Sequence, residues 1–510
     1  MSIYPPIGSR ITDHPLLYEI NARLWVREFR GSKQPAALDD VPDSALDTIA
    51  RLHFDLLWLM GVWQTGAKSR AIALELSQLQ SEYRRALPDW NSEDVLGSPY
   101  AVQEYRVAEG LGGPEALARL RARLAQRGVR LVLDFVPNHT ALDHPWVFSH
   151  PEYYVHGDDE SRRREPQSFF LADTIHGRRI LAHGRDPYFP AWLDTAQLDF
   201  AHPGMRASLI QTLVDIASQC DGVRCDMSML MLNEVFTRTW GEMTKPADRA
   251  APARTEFWAE AIDAVKRIYP DFRLVAEVYW DLEAKLQALG FDYTYDKGLY
   301  DRLLHGNAAA VKEHLHRDFD FQKRSVRFLE NHDEARAARA FSPDRHRAAA
   351  LIAYTLPGMR LFHQGQLDGR KVKIPIQLGR CPVEKSDPEV WGFYDKLLAA
   401  LGGEVMRRGR WKLLELKPGG GESFGFEQVV IYTWEADRHG SRIVIVNFGP
   451  NPARCCAAVD LAGFQGQQRI VLRDLLSGNS TEVDASALKD PGLYFDLAPF
   501  EARLLAPTRP

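Results

Sequence analysis

Gly222-Val223-Arg224-Cys225-Asp226 is the stretch from which the fold can be read. It follows 205–219, a helical run in which Leu209, Leu213 and Ile216 recur at spacings of four and three. A helix feeding a short apolar run that ends in a carboxylate is a βα unit seen at the strand's C-terminal end. In a (β/α)8 barrel that end carries the chemistry. Side chains at i and i+2 of a strand share a face, so Arg224 and Asp226 should point the same way. A guanidinium beside a carboxylate favours its ionised form, and an ionised, oriented aspartate is what a nucleophile requires. A structural ion pair would account for these five residues alone. The other strand ends decide between the two readings.

Working outward, 16–26 (LLYEINARLWV) reads as a first strand and its exit, and 55–59 as a buried second strand. Residues 130–135 (RLVLDF) are a third, preceded by a helix that opens at Gly113-Pro114 and closes at Gly128. GVRCD is the fourth. After a helix over 255–269, residues 273–277 (RLVAE) form a fifth, 291–295 a sixth, 325–331 (SVRFLEN) a seventh and 360–363 an eighth. A barrel of eight such units takes only ~250 residues, so the wide gap between the third and fourth strands is an insertion. It is rich in His, Arg, Asp, Pro and aromatics, as a lid or substrate-facing subdomain would be. From about Gly403 the pattern changes to strand-like runs, 429–434, 442–448, 469–476 and 492–497. Turn signals such as Asp437-Arg438-His439-Gly440 separate them. The expectation is a (β/α)8 TIM barrel over 1–136 and 202–402, an inserted domain over 137–201, and a C-terminal antiparallel β-sandwich over 403–510.

The 510 residues exceed one ordinary compact domain but suit a barrel with additions. A net charge of −5 recommends neither nucleic acid nor an anionic membrane as a partner, and no apolar run approaches the ~20 residues of a membrane span. The five cysteines are odd in number and two are adjacent, unlike a disulfide framework. With no basic and apolar leader visible in 1–15, the chain reads as a reduced, cytoplasmic protein. Its oligomeric state is not readable.

Four strand ends carry polar residues: Asp134 with Asn138-His139, Arg224 with Asp226, Glu277, and Asn331-His332-Asp333. In a closed parallel barrel they converge on one rim. So many charged groups in one cleft are costly, which favours a site over a structural network.

The sequence resembles glycoside hydrolase family 13, the α-amylase family. DFVPNH (134–139), GVRCD (222–226), the Glu277 of VAEVYW and ENHD (330–333) are similar to its four conserved regions in order and spacing, and LDFAHP (198–203) to the short motif before the second. The resemblance implies a retaining α-glycoside hydrolase acting on α-glucosidic bonds, α-1,4 first, through a covalent glycosyl-Asp intermediate. It implies Asp226 as nucleophile, Glu277 as general acid then base, and Asp333 as the group holding the sugar's 2- and 3-hydroxyls. Arg224 would keep Asp226 charged, His139 and His332 would donate hydrogen bonds to the cleaved sugar, and Tyr100 would stack on it. The aromatic setting of Glu277, with Tyr279 and Trp280, and nearby negative charge should raise its pKa.

The chain departs from the family at Met229 and Leu230, where many α-amylases carry Lys-His, and at Ala101 and His363-Gln364-Gly365-Gln366, where acidic residues are frequent. No cofactor is expected. Asn138 keeps one calcium-ligand position of the family, which leaves its structural calcium open, but a hard cation wants 6–8 oxygens and no metal ligand is assigned. Trp63, Trp146, Trp192 and Trp280 are candidates for sugar platforms or for packing. His144 and His150 lack zinc spacing and read as hydrogen-bonding residues. Cys225, on the opposite strand face from Asp226, should be buried and inert. The alternative is a transglycosylase with the same intermediate, passing the sugar to a sugar, small alcohol or phosphate. A non-catalytic binding protein of this kind should have lost an acid, and all three are present.

Overall fold

The computed structural model describes residues 12–29, 37–241, 255–418, 424–437, 440–464, 467–489 and 492–509. Part of the stretch 1–15 and the turn residues Arg438 and His439 lie outside them, as do residues 419–421 of the loop at Pro418.

Eight parallel strands close into a barrel: Leu16–Asn21, Leu56–Met60, Arg130–Phe135, Gly222–Cys225, Arg273–Ala276, Tyr293–Tyr295, Ser325–Arg327 and Met359–His363. Each pairs with its neighbours in sequence order, and the first closes on the eighth through Leu16–Arg360 and Glu19–His363. The strands are continuous apolar runs because helices cover the sheet outside and side chains fill it inside. Gly222 opens the fourth strand where the Arg273 carbonyl would lie 2.7 Å from any Cβ, so only glycine lets these strands pair. The first strand is shorter than the apolar run suggests. It ends at Asn21, whose carboxamide caps the N–H groups of Arg23 and Leu24, and Ala22–Phe29 is helix.

Among the described residues the excursion between the third and fourth strands holds two short antiparallel strand pairs, one of them Phe169–Thr174 with Gly177–Ala182. Its strand His139–Ala141 pairs with Thr195–Gln197, which returns the chain to the barrel rim. A second excursion, after the second strand, contains the helices Ala67–Glu75 and Ser77–Ala86.

The C-terminal region forms two antiparallel sheets, one of six strands and one of three. On Val429–Ala436 and Gly440–Asn447 alternate side chains face opposite ways. Val429, Ile431, Ile443 and Ile445 fill the core between the sheets. Val430, Tyr432, Trp434, Val444 and Val446 join the barrel's core instead. There Tyr432 and Trp434 hydrogen-bond Thr355 at the end of the helix Pro343–Thr355. The four strand-like runs read from the sequence all form strands, with further ones between them.

Candidate active site

The barrel register sets Arg224 opposite Asp134 on one side and Val275 on the other. Arg224 is 1% exposed and works as a buried hub. One terminal nitrogen donates to Asp226 Oδ1 and the other lies 2.7 Å from Glu277 Oε2 and 3.9 Å from Asp333 Oδ2. Its guanidinium carbon sits 5.3 Å from the ring centres of Trp58 and Tyr100 and 5.8 Å from that of Tyr295. Three carboxylates from the ends of the fourth, fifth and seventh strands therefore meet at one cation. As the i, i+2 rule requires, Arg224 and Asp226 share a face, while Cys225 is fully buried on the other.

Glu277 follows the last residue of its strand and extends the ladder by donating its N–H to the Cys225 carbonyl. Its Oε2 accepts the Met227 N–H at 2.7 Å and its Oε1 accepts the Tyr279 hydroxyl at 2.7 Å. Met227 has φ 44°, the left-handed region, and so turns its N–H toward the carboxylate. Burial pushes the Glu277 pKa up to about 7, against the pull of Arg224 and with the help of Asp226 and Asp333. Asp226 is raised as well. Burial outweighs the Arg224 pairing, with Asp333 and Asp134 adding to the rise, so Arg224 tempers its pKa without depressing it as the sequence reading expected.

Asp333 behaves oppositely. Its side chain is 41% exposed; desolvation by its neighbours would raise it, but His332 Nε2 at 2.9 Å, with Arg224 and Lys373 beyond, holds it well below the usual range. His332 gains in return. Burial alone would lower it, yet Asp333 and Glu19 lift it to about 10. Its Nδ1 faces Glu19 Oε1 at 2.5 Å, and Tyr100 lies against its ring with the hydroxyl 2.8 Å from Nε2. Asp134 accepts Trp58 Nε1–H at 3.0 Å and the Gly61 N–H at 2.8 Å, with burial raising it to about 6. Burial lowers His139 to about 4, which keeps it neutral near pH 7.

Over this floor lies a cavity of about 350 Å³. Tyr100, His139, Asp226, Glu277, His332 and Asp333 all line it, and Arg224 lies beneath. The sequence reading did not single out Glu19, Asp194 or the apolar cavity residues Ile72, Leu76, Leu79 and Ile376. Glu19 carried one signal, a carboxylate in an otherwise apolar strand. Asp194 lines the cavity and accepts the Ser69 hydroxyl at 2.6 Å.

The other singled-out residues separate. Trp192 lines the cavity, 5.1 Å from His139. Trp63 is buried and donates to the Asp134 carbonyl, so it packs. Trp146 packs on Tyr153. Trp280 stands outside the cavity against Tyr188. His144 accepts the Trp146 N–H at a helix start and His150 pairs with Glu152.

Asn138 and Gln197 form a reciprocal amide pair, at 3.1 Å and 3.0 Å, which occupies the carboxamide oxygen a cation would need. Met229 and Leu230 are buried and apolar. Among the described residues no group of three or more His, Cys, Asp or Glu side chains could hold a metal ion.

The family described as "Alpha amylase, catalytic domain" matches residues 43–374. The alpha-amylase MalA of Haloarcula japonica is 26% identical over 363 residues, 70% of this chain and 44% of that protein. Alpha-amylase 3 of Dictyoglomus thermophilum is 22% identical over 312 residues, 56% of each chain. The chain thus spans about half the length of these relatives. Among solved structures, a maltogenic alpha-amylase AmyB from Thermotoga neapolitana superposes with TM-score 0.68 at 18% identity, covering 97% of this chain and 98% of that one. An alpha-amylase from Lactobacillus plantarum gives 0.66 at 19%, covering 97% and 99%. These likenesses carry the fold, and the family match over residues 43–374 carries the membership. The chain belongs to glycoside hydrolase family 13, the α-amylase family.

Proposed function

We propose that this chain hydrolyses α-glucosidic bonds, α-1,4 first, with retention of configuration. The supporting observation is the convergence of Asp226, Glu277 and Asp333 on one guanidinium, with Glu277 raised to about 7. Glu277, protonated, gives its proton to the glycosidic oxygen as the C1–O bond breaks, and Asp226 forms an ester to C1. Glu277, now a carboxylate, takes a proton from water, which attacks C1 and frees Asp226. Asp333, ionised beside His332, holds two sugar hydroxyls and balances the positive charge that builds on the ring. Tyr100, His139 and His332 grip the same sugar. Residues 137–201 act as a substrate-facing unit, since His139, Trp192 and Asp194 come from that stretch. The donors around Asn138 favour function without calcium. Five free thiols, four of them buried, favour a reducing cytoplasm. Among the described residues no helix is long and apolar enough to cross a membrane.

A 2-deoxy-2-fluoro-α-glucosyl fluoride tests this reading. The wild type should accumulate a covalent adduct on the peptide bearing Asp226, and Asp226→Asn should form none. Turnover of maltooligosaccharides should release the α-anomer first, as reducing sugar even when an acceptor is present. An adduct elsewhere, or β-anomer first, refutes the assignment. A new glycoside as the main product replaces hydrolysis with transfer.

A further inference from the structure

The cavity wall and the aromatic group outside it are built differently, and the difference bears on where a sugar chain can lie. One wall is aliphatic: Ile72, Leu76, Leu79 and Ile376 face the cavity. They come from the excursion after the second strand and from the loop after the eighth. Those two segments are locked together. Leu96 N–H donates to the Gln377 carbonyl at 2.8 Å and Gly379 N–H to the Asp94 carbonyl at 2.7 Å. Arg380 holds the Asp94 carboxylate with two bonds of 2.8 Å. Behind the wall, Ala73, Tyr83, Val95 and Leu378 form a small core of their own. The wall is a fixed part of the fold. It adjoins Tyr100 through Ser98 and the seventh-strand end through Lys373, which donates to the Asp333 carbonyl. Tyr100 and Asp333 are the groups that grip the cleaved sugar in the proposed function.

Outside the cavity, next to Tyr279 in the chain, stands an aromatic group with exposed members. Trp280 follows Tyr279, whose hydroxyl binds Glu277, and it meets Tyr188 edge-on at 4.9 Å. Tyr188 and Phe189 are 59% and 64% exposed. They are held out rigidly, because Asp186 Oδ1 accepts both their N–H groups, at 2.7 Å and 2.9 Å. Trp280 and Asp281 both have positive φ, 65° and 58°, strain that a non-glycine loop tolerates at functional positions.

A sugar chain needs partners for its hydroxyls and flat apolar faces for its rings. The four aliphatic side chains offer neither; of the polar lining beside them, Asp194 already accepts the Ser69 hydroxyl and Ser98 Oγ the Tyr100 N–H, so a chain driven into this wall would leave most of its hydroxyls without partners. At about 350 Å³ the cavity lies at the small end of the ~300–1,000 Å³ of ligand sites, room for a short end of a sugar chain.

We propose that the site is a pocket closed behind the sugar held by Asp333 and His332. It therefore removes one or two units from the non-reducing end, with the leaving chain passing over Trp280, Tyr188 and Phe189. This inference rests on the proposed glycosidase function. Two substrates test it: maltoheptaose tagged at its reducing end, and an aryl α-maltoheptaoside whose non-reducing end is blocked by a 4,6-ethylidene group, compared with its unblocked form. The first tagged products should be one or two units shorter, and the blocked heptaoside should disappear at least tenfold more slowly than the unblocked one. Early tagged products three or more units shorter, or a blocked substrate consumed within tenfold of the unblocked one, overturn the closed pocket while leaving the glycosidase reading intact. Failure to consume either heptaoside, together with no covalent adduct from the fluoride, removes the glycosidase reading and the pocket with it.

Discussion

Replacing Tyr279 by Phe should move the alkaline limb of the pH profile upward by about one pH unit. The Tyr279 hydroxyl donates to Glu277 Oε1 at 2.7 Å. A donor to a carboxylate stabilises the ionised form, so its loss raises the pKa. Hydrogen bonds to charged groups contribute about 1.5–3 kcal/mol, and one pKa unit is about 1.36 kcal/mol. The full effect would thus be one to two units. The lower figure applies because Met227 N–H and Arg224 still serve the other oxygen, each at 2.7 Å. In the wild type, kcat/KM for an oligosaccharide should fall tenfold per unit above about pH 7, where Glu277 loses its proton. In Tyr279→Phe the fall should begin near pH 8. An aryl glucoside with a good leaving group needs no proton and should show no such limb in either protein. A limb that stays at pH 7 or moves down in the variant refutes the tuning by Tyr279. An oligosaccharide profile with no limb near 7 refutes Glu277 as the acid.

Glu277→Gln should lose more on an oligosaccharide than on the activated aryl glucoside, by on the order of 10²–10⁴; equal losses would remove the acid role. His332→Asn should destabilise the fold in a pH-dependent way. The shift of His332 from 6.5 to about 10 corresponds to at most about 5 kcal/mol. Because the folded pKa is raised, that stabilisation is complete below about pH 6.5 and lost as pH rises through about 10. Urea unfolding of both proteins at pH 6 and pH 10 should show the gap closing, and a constant gap refutes the His332–Asp333 pairing as its source. Dialysis against a chelator should leave Tm and activity unchanged, because the Asn138–Gln197 pair already uses the relevant oxygen; a drop in Tm restored by calcium would overturn this.

The barrel was legible because buried parallel strands read as unbroken apolar runs, and because each polar residue that ended such a run landed on the same rim. What stayed hidden follows from the same physics. The strands Arg410–Leu413 and Ser480–Asp484 are the two edges of the six-stranded sheet, and edges carry charge in place of an apolar run. The wall at Ile72, Leu76, Leu79 and Ile376 comes from two segments some three hundred residues apart, which no local period connects. Tyr279 could be seen as aromatic surroundings for Glu277, whereas its hydrogen bond required coordinates. Arg224 and Asp226 were correctly paired, yet the pairing's effect on Asp226 depended on burial, which a motif does not state.

How the three acids differ follows from how each cation is shared. His332 gives one nitrogen to Asp333 and the other to Glu19, so Asp333 has a near neighbour of its own and is held ionised. Arg224 is divided among Asp226, Glu277 and the more distant Asp333, all in a site where burial penalises charge. A divided cation cannot depress both near carboxylates. Proton loss from one raises the cost of losing the other, because the two titrate as a pair. Both carboxyls are raised by burial, and Glu277, lifted to about 7, is favoured to hold a proton near neutrality. That state is the one the first step of the proposed reaction needs: a carboxylate at Asp226, a proton at Glu277 and a fixed negative charge at Asp333. A transition state with positive charge on the sugar ring is then met by negative charge already in place, so no dipoles need reorganise as the bond breaks.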